Sequence, residues 1–593
     1  MKMKRWIAML CMITVCVQTS GCQSVQEYAQ EIKEKGVDKQ QEQAAFDAFL
    51  DTVFLDNIQS DSITLNYTLA HPENYGITDY TPTFGDYGVD AEKTQLVRAE
   101  NIYDQLQDFA YTALTEDQQL TYDILVDYYK PDGDEEDYLL YGEALGNTTG
   151  IQAEIPILLS EYNIDDKEDL DHYLALLPEI ATYFEQIETY EQEKSEAGLF
   201  MPKDNAEAII SQCEDFIKEP KKNLLISTFN DHIDTYDWLT KQEKTSYQKK
   251  NRKLVLEQVI PAYEQLITTL EALKDTGKYE GGIGNLPDGK TYYEKLAQSI
   301  TGTDLSVKEM KKKLENTMID AATTLNTIYS SDAEIDSKYM DMKFPLTDPD
   351  EILDYLKDTV KDDFPALEDV NYTVKYVDKS LEDHVSPAFY LTPQIDNYTE
   401  NSIYINGASN NNLAEIFTTL AHEGYPGHLL QNVYFSQQNP DPVRATISYG
   451  GYSEGWATYT EMYSYNIAGL DENLGEFAKQ YMIFNLCIYA LVDIGVNYDC
   501  WDMEELTDFL CTYYGDNVDD AAEEIMGIVT DDPANYLQYV VGYISFMDLR
   551  SQAEKELGDS FSQKEFHTFL LDIGPASFPV IEKYMDKWID TQK

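Results

Sequence analysis

Positive charge is scarce in this sequence. Its 43 Lys and Arg stand against 108 Asp and Glu, a formal net charge of −65, which repels phosphate backbones and argues against nucleic-acid binding. Such acidity suits solubility outside the cytoplasm and does not by itself imply a cationic substrate. Cysteine is scarce too. Of 7, Cys11, Cys16 and Cys22 fall at the N-terminus, which leaves Cys213, Cys487, Cys500 and Cys511, too few for a disulfide framework. Cys500 and Cys511 are near enough in sequence to pair, but buried thiols are the expectation. The 30 Gly and 20 Pro are few for 593 residues, and no Pro/Gly/Ser-rich linker or internal repeat divides the interior. With 43% hydrophobic residues available for a core, the balance predicts a mostly α protein, a large helical bundle in one or two closely packed lobes.

Long apolar runs occur in two places. Trp6 to Val17, preceded by Lys2, Lys4 and Arg5 and followed by Thr19-Ser-Gly-Cys22, reads as a signal peptide. It resembles a bacterial lipoprotein signal, which implies cleavage before Cys22 and lipidation of that residue; secretion without lipid is the alternative. Residues 23–45 are polar and suit a tether to a unit spanning 46–593. The expected location is therefore extracytoplasmic, with membrane contact only through the lipid anchor. The second run, Tyr481 to Val496, is too short and interrupted to span a bilayer and is expected to be a core helix. It carries Asp493, which must find a partner when buried. A metal-ligating His, a cap and an Arg pair are equally open.

Helical periodicity fills residues 46–365. Phe46, Phe49, Leu50, Val53 and Phe54 share one face, as do Leu96, Tyr103, Leu106 and Phe109. Thr115-Glu-Asp-Gln118 and Ser306-Val-Lys-Glu309 are capping boxes. Leu170, Leu174, Leu177, Ile180, Phe184 and Ile187 draw a long helix kinked by Pro178, and another runs from about Tyr247 to Asp275 around Pro261. His71, His172 and His232 sit among acidic neighbours and have no expected role, and Lys249, Lys250, Arg252 and Lys253 read as a solvated face. Gly284-Asn-Leu-Pro-Asp-Gly-Lys-Thr291 satisfies the phosphate-loop pattern, but the polar, glycine-rich stretch before it is no buried strand. A turn entering a helix at Tyr292 is the expectation.

From 366 onward the pattern changes to a small sheet followed by helices. Tyr372, Val374 and Tyr376 alternate with polar residues, and Ala388 to Leu391 and Asn401 to Asn406 are two further short strands. Directly after them, Leu420-Ala-His-Glu-Gly-Tyr-Pro-Gly-His428 brings together two of the chain's 7 histidines and a carboxylate. Asn412 is placed to cap a helix with Glu415 at its third position, and Leu413, Ile416, Phe417 and Leu420 form its buried face. A helix offers two imidazoles to one metal at a spacing of four, whereas His422 and His428 are six apart and would diverge on an unbroken helix. Pro426 and Gly427 predict a kinked or looped-out last turn that returns His428 to His422. A catalytic zinc keeps three protein ligands; the best third candidate is Glu454, in Tyr452-Ser-Glu-Gly-Trp-Ala-Thr-Tyr-Thr-Glu461. Glu461 shares its helix face and is placed to hold a ligating imidazole.

These two motifs resemble those of the bacterial family known as domain of unknown function 885, whose members resemble zinc peptidases of the carboxypeptidase Taq and thimet oligopeptidase kind. The likeness extends from about residue 46 to the C-terminus and includes Pro287-Asp-Gly-Lys-Thr-Tyr-Tyr293, Tyr539-Val-Val-Gly542 and Phe566-His567. It implies His422, His428 and Glu454 as ligands of Zn²⁺, Glu423 as general base and Tyr539 as oxyanion donor. It also implies a substrate channel with the small sheet beside the metal helices. This chain departs from the family pattern at Leu429, where a second His is usual, and at Tyr489 and Asn497, where an Arg and a His flank the Val-Asp-x-Gly step. His567 and Arg550 are weaker candidates, Arg550 for gripping a substrate carboxylate. The expected activity is zinc-dependent hydrolysis of oligopeptides, of carboxypeptidase or oligopeptidase type. A zinc amidohydrolase acting on a non-peptide or cell-wall fragment and a non-catalytic binding lipoprotein are the alternatives.

Overall fold

Helices begin where the capping chemistry places them. The computed structural model describes residues 36–147, 150–377, 387–408 and 416–593; the signal sequence with Cys22 and the proposed cap at Asn412 lie outside them. Thr115 with Gln118 and Ser306 with Glu309 each close a reciprocal capping box. The N-terminal helix α1 (Lys39–Ile58) starts earlier than expected, so residues 39–45 are not tether. Asp38 accepts the N–H groups of Gln40 and Gln41, and this cap winds a polar stretch into the exposed first turns of the helix. The helix expected from Tyr247 starts at Lys241 under a box formed by Thr240 and Glu243. It widens into a π-turn at Val255–Val259 just before Pro261, with the Ile260 N–H reaching the Val255 carbonyl. Pro261 has no N–H to continue the ladder, and the irregular turn falls there. The helix Lys167–Ala197 stays continuous through Pro178.

The cores do not divide at residue 365. The apolar stripe from Leu170 to Ile187 packs with Ile209, Leu225 and Leu266 into a smaller core whose buried members fall within residues 144–270. Phe46, Leu50, Val53 and Phe54 of α1 belong instead to the larger core, with Leu420, Trp456 and Leu491 of the C-terminal half. Periodicity identifies which face of α1 is buried, but the partner lies hundreds of residues away and leaves no local mark. Helices α2 (Gly289–Thr301) and α3 (Val307–Ser331) then lead to the sheet. The phosphate-loop look-alike is the 3-10 turn Ile283–Asn285 and the start of α2, with no strand before it among the described residues. It is pinned by the Ile283 N–H donating to Asn497 Oδ1 at 3.2 Å.

The sheet has three strands, β1 (Asn371–Tyr376), β2 (Ala388–Leu391) and β3 (Glu400–Ile405). Their order is β1-β3-β2, with β1 parallel and β2 antiparallel to β3. Edge strand β2 packs on α4 (Ile416–Glu423). There follow α5 (His428–Gln437), α6 (Gly450–Ser464), α7 (Glu472–Asn497), α8 (Asn535–Leu557) and α9 (Gln563–Ile573). Among the described residues α7 is the one helix long and apolar enough to cross a membrane, yet it packs against α3 and α8 and serves as core. The fold is a large helical bundle with a small sheet beside these helices. All four cysteines outside the signal are free.

Candidate metal centre

Helix α4 buries Ile416, Phe417, Leu420 and Ala421 and ends at Glu423. The chain turns through residues 424–427 and starts α5 at His428, so the second imidazole stands on a new helix rather than a kinked one. Gly427 makes this possible: its N–H donates to the Ala421 carbonyl at 2.9 Å, and a Cβ there would sit 1.7 Å from the His422 carbonyl oxygen. No other residue lets the chain cross the end of α4 so closely. The Trp456 indole N–H donates to the Pro426 carbonyl at 3.1 Å, tying the turn to α6. The two imidazoles come to rest 4.9 Å apart between ring centroids, at 83° to one another.

Glu454, two residues before Trp456, faces both rings. Its Oε2 lies 3.4 Å from His422 Nε2 and 3.5 Å from His428 Nε2, and ligand atoms of the three residues all lie within 4.8 Å of one another. A charge-assisted hydrogen bond would be shorter, about 2.8 Å. Donors about 2.0–2.1 Å from a tetrahedral zinc stand about 3.3 Å from each other, so the residues present fit that ion. Glu461 lies 3.3 Å from His422 Nδ1, where an outer carboxylate would fix a ligating imidazole. Burial alone would lower the His422 pKa, but Glu454 and Glu461 outweigh it and hold it well above the ordinary value. Burial likewise pushes Glu454 up, and the two imidazoles pull it well below the usual carboxylate range. Helix α6 is set at this depth by a close approach: a Cβ on Gly455 would meet the Gly542 backbone of α8 at 2.5 Å.

The centre opens into a cavity of about 720 Å³. Glu423 lines it, with Oε2 accepting the backbone N–H of Tyr390 from β2 at 2.9 Å. Burial raises its pKa above the carboxylate norm, against the pull of His422 and His428. Tyr539 lines the same cavity; burial, then the negative Glu454 and Glu423, raise its pKa, so the phenol keeps its proton. Phe389, Phe435, Ile447 and Tyr452 supply apolar wall, and Gln431 and Asn432 supply amides. The roles of Tyr390 and Trp456 are not visible in sequence, because one acts through its backbone and the other through a carbonyl 30 residues away. Gln431 and Asn432 had a legible signal: they follow His428 by three and four positions and so share its helix face.

Residues 72–585 match the profile of a family described as bacterial protein of unknown function (DUF885). The chain belongs to that family. A crystal structure of a candidate lipoprotein from Colwellia psychrerythraea has the same fold, with a TM-score of 0.80 at 19% identity, covering 92% of this chain and 99% of that one. A candidate lipoprotein of unknown function from Shewanella oneidensis aligns at a TM-score of 0.61 and 17% identity, over 90% of this chain and 98% of that one. None of the curated proteins matches.

Three other candidate residues of this DUF885 chain lie away from the cavity lining. Among the described residues Asp493 touches neither an imidazole nor an Arg. Its Oδ1 accepts from the Tyr293 hydroxyl at 2.7 Å, Asn497 Nδ2 at 3.1 Å and the Ala534 N–H at 3.0 Å. Burial pushes its pKa up to about 7. Ala534 immediately precedes α8, so Asp493 anchors the start of the helix that carries Tyr539. Arg550 is no carboxylate grip for the cavity: it donates to the Tyr459 hydroxyl at 3.0 Å, to Gln563 at 3.1 Å and to Glu554 at 2.8 Å. His567 sits behind α6, donating from Nδ1 to the Asp363 carbonyl at 2.6 Å and accepting the Tyr459 hydroxyl at Nε2 at 2.8 Å. Its helix α9 is amphipathic, and His567 falls on the buried side with Phe566 and Leu570. The departures from the family pattern are absorbed structurally: Leu429 is core, Tyr489 stacks on Tyr536 at 5.1 Å, and Asn497 holds Asp493 and the turn at Ile283.

Proposed function

We propose that this protein is a zinc-dependent hydrolase of peptide bonds in oligopeptides, held outside the cytoplasm by a lipid on Cys22. The observation that carries the reading is the convergence of two imidazole Nε2 atoms on one Glu454 oxygen at 3.4 and 3.5 Å, with Glu423 next to His422 in the same cavity. Zinc held by His422, His428 and Glu454 supplies a Lewis acid that polarises a scissile carbonyl and acidifies water. Glu423 is the general base. One of its oxygens rests on the Tyr390 N–H, and the other takes a proton from the attacking water and returns it to the leaving nitrogen. Tyr539, kept protonated, donates to the oxygen on which negative charge develops. Edge strand β2 walls the cavity, which favours an extended substrate laid beside the sheet.

The anchor reading rests on the N-terminal motif ending at Cys22, and the two structural neighbours are themselves described as candidate lipoproteins. The decisive experiment is Glu423→Gln. The variant should bind zinc as the wild type does while cleavage of a mixed peptide library, read by mass spectrometry, falls by about 10³-fold. Undiminished cleavage by this variant would remove Glu423 from the mechanism, and a wild-type protein that binds zinc yet cleaves no peptide would move the reading to a different amide.

A further inference from the structure

A second cleft, of about 1040 Å³, adjoins the metal cavity. Ala445, Ser448 and Tyr449 line both, so a chain leaving the metal centre along this wall enters the second space. The wall is braced. The Tyr449 hydroxyl donates to Asp127 at 3.0 Å, the ring of Tyr128 meets Tyr449 edge-on at 5.7 Å, and Thr446 accepts from Asn57 Nδ2 at 2.8 Å.

Three cations line this cleft; Lys295 is paired with Asp132 and Asp134, which leaves Arg98 and Lys130. Arg98 donates to Asn57 Oδ1 at 2.6 Å and, weakly, to Gln95 at 3.5 Å. Both partners are neutral amides, so the guanidinium is oriented but not neutralised. Lys130 lines the same space, and among the described residues neither cation has a carboxylate within ion-pair distance. Five acids stand on the same walls, and none pairs with either cation: Asp127 accepts from Tyr449, Asp132 pairs with Lys295 at 2.9 Å, Glu135 accepts the Gly133 N–H at 2.8 Å, and Glu92 and Asp304 also line the space. In a chain with 108 acids and 43 bases, internal partners for a guanidinium are plentiful. One that orients on amides instead is set for an anion from outside.

We propose that this cleft is a distal binding site for a carboxylate of the substrate, gripped by Arg98 and Lys130 while the bond to be cleaved lies at the metal centre. The proposal rests on the peptide reading above, and it makes the preferred substrates extended peptides with a negative charge remote from the scissile bond. That charge is either the terminal carboxylate or an acidic side chain, and the two share one chemistry.

The test separates binding from turnover. The full chain carrying Glu423→Gln, loaded with zinc, is titrated with fluorescent peptides of increasing length, each as the free acid, as the C-terminal amide, and as the amide with one internal Glu. From the length that spans both cavities, the carboxylate forms should bind about tenfold more tightly than the neutral amide. Adding Arg98→Gln or Lys130→Gln should bring that ratio close to one, while adding Lys249→Gln, which lines neither cavity, preserves it. Whether the free acid or the internal Glu carries the preference identifies the source of the charge. A ratio unchanged in both Arg98→Gln and Lys130→Gln overturns the proposal, even with wild-type cleavage intact. An Arg98-dependent ratio in a protein that cleaves no peptide leaves the site standing and removes the peptidase reading instead. Arg98 also braces Asn57, so the Lys130→Gln arm decides the matter if Arg98→Gln fails to fold.

Discussion

On the cavity side of α6, Glu454 and Glu461 face two imidazoles; on its other side Trp456 and Tyr459 enclose a third, His567. The side-chain types are much the same, yet the electrostatics are opposite. At the front, carboxylates within 3.5 Å hold His422 well above its ordinary pKa, a need for positive charge that a dication would satisfy equally well. At the back, His567 stacks on Phe364 at 4.0 Å between centroids and has no carboxylate partner among the described residues. Burial and the nearby Arg550 push its pKa down to about 3, so it stays neutral and serves as a hydrogen-bond bridge from Tyr459 to the Asp363 carbonyl. A buried histidine is a ligand or a brace according to the charge it faces, not according to its burial.

This contrast can be broken most severely at Glu454. Glu454→Ala should weaken zinc binding by more than the roughly 10–100-fold that loss of an outer partner costs, with activity lost alongside; elemental analysis of the dialysed protein checks it. Glu461→Gln should cost that roughly 10–100-fold in zinc affinity, measured by competition with a chelator, because His422 Nδ1 loses its carboxylate while all three ligands remain. On the back face, His567→Phe should leave zinc content unchanged and destabilise the protein by about 1–3 kcal/mol, since the Asp363 carbonyl and the Tyr459 hydroxyl lose their partner. Urea titration reads that loss, and a drop in zinc content would show that the two faces are not independent.

The contrast is sharpened further through pH. The His567 pKa is lower folded than unfolded, so the unfolded chain binds the proton first on acidification. Its contribution to stability is complete above about pH 6.5 and is lost as pH falls toward 3. Asp493 runs the other way: with a folded pKa near 7, above the ordinary carboxylate value, its contribution is full at low pH and is lost as pH rises from about 4 to 7. The stability difference between wild type and His567→Phe should therefore shrink below pH 6.5. The difference between wild type and Asp493→Asn should grow less favourable to the wild type over the rise from 4 to 7. Denaturation midpoints across that range check both signs.

Much of this was legible along the chain because the deciding interactions are local. Capping boxes lie within four residues, so Thr115, Ser306 and the strand boundaries near 371, 388 and 400 are found without a fold. The candidate metal motif is compact for the same reason: His422 and His428 are six positions apart, and the Pro-Gly pair between them demands a turn. Asp493, Arg550 and His567 were not legible, because a polar residue in an apolar run signals a partner without naming it. The partners proved to be Tyr293 and Ala534, Tyr459, and the Asp363 carbonyl, at sequence separations of 200, 41, 91 and 204.

By itself the amino-acid order determined a mostly helical chain, a Pro-Gly pair that turns the backbone between two histidines, and a pool of acidic residues. The tertiary structure alone decided that α1 packs into the C-terminal core and that the Tyr390 N–H reaches Glu423. It also decided that a second cleft shares a wall with the first and that one histidine faces carboxylates while another faces aromatic rings. The reason is range: backbone hydrogen bonding and periodicity act over a few residues and are written in consecutive letters. Charge pairing, cavity shape and desolvation depend on which distant segments meet, and they exist only once the chain has packed.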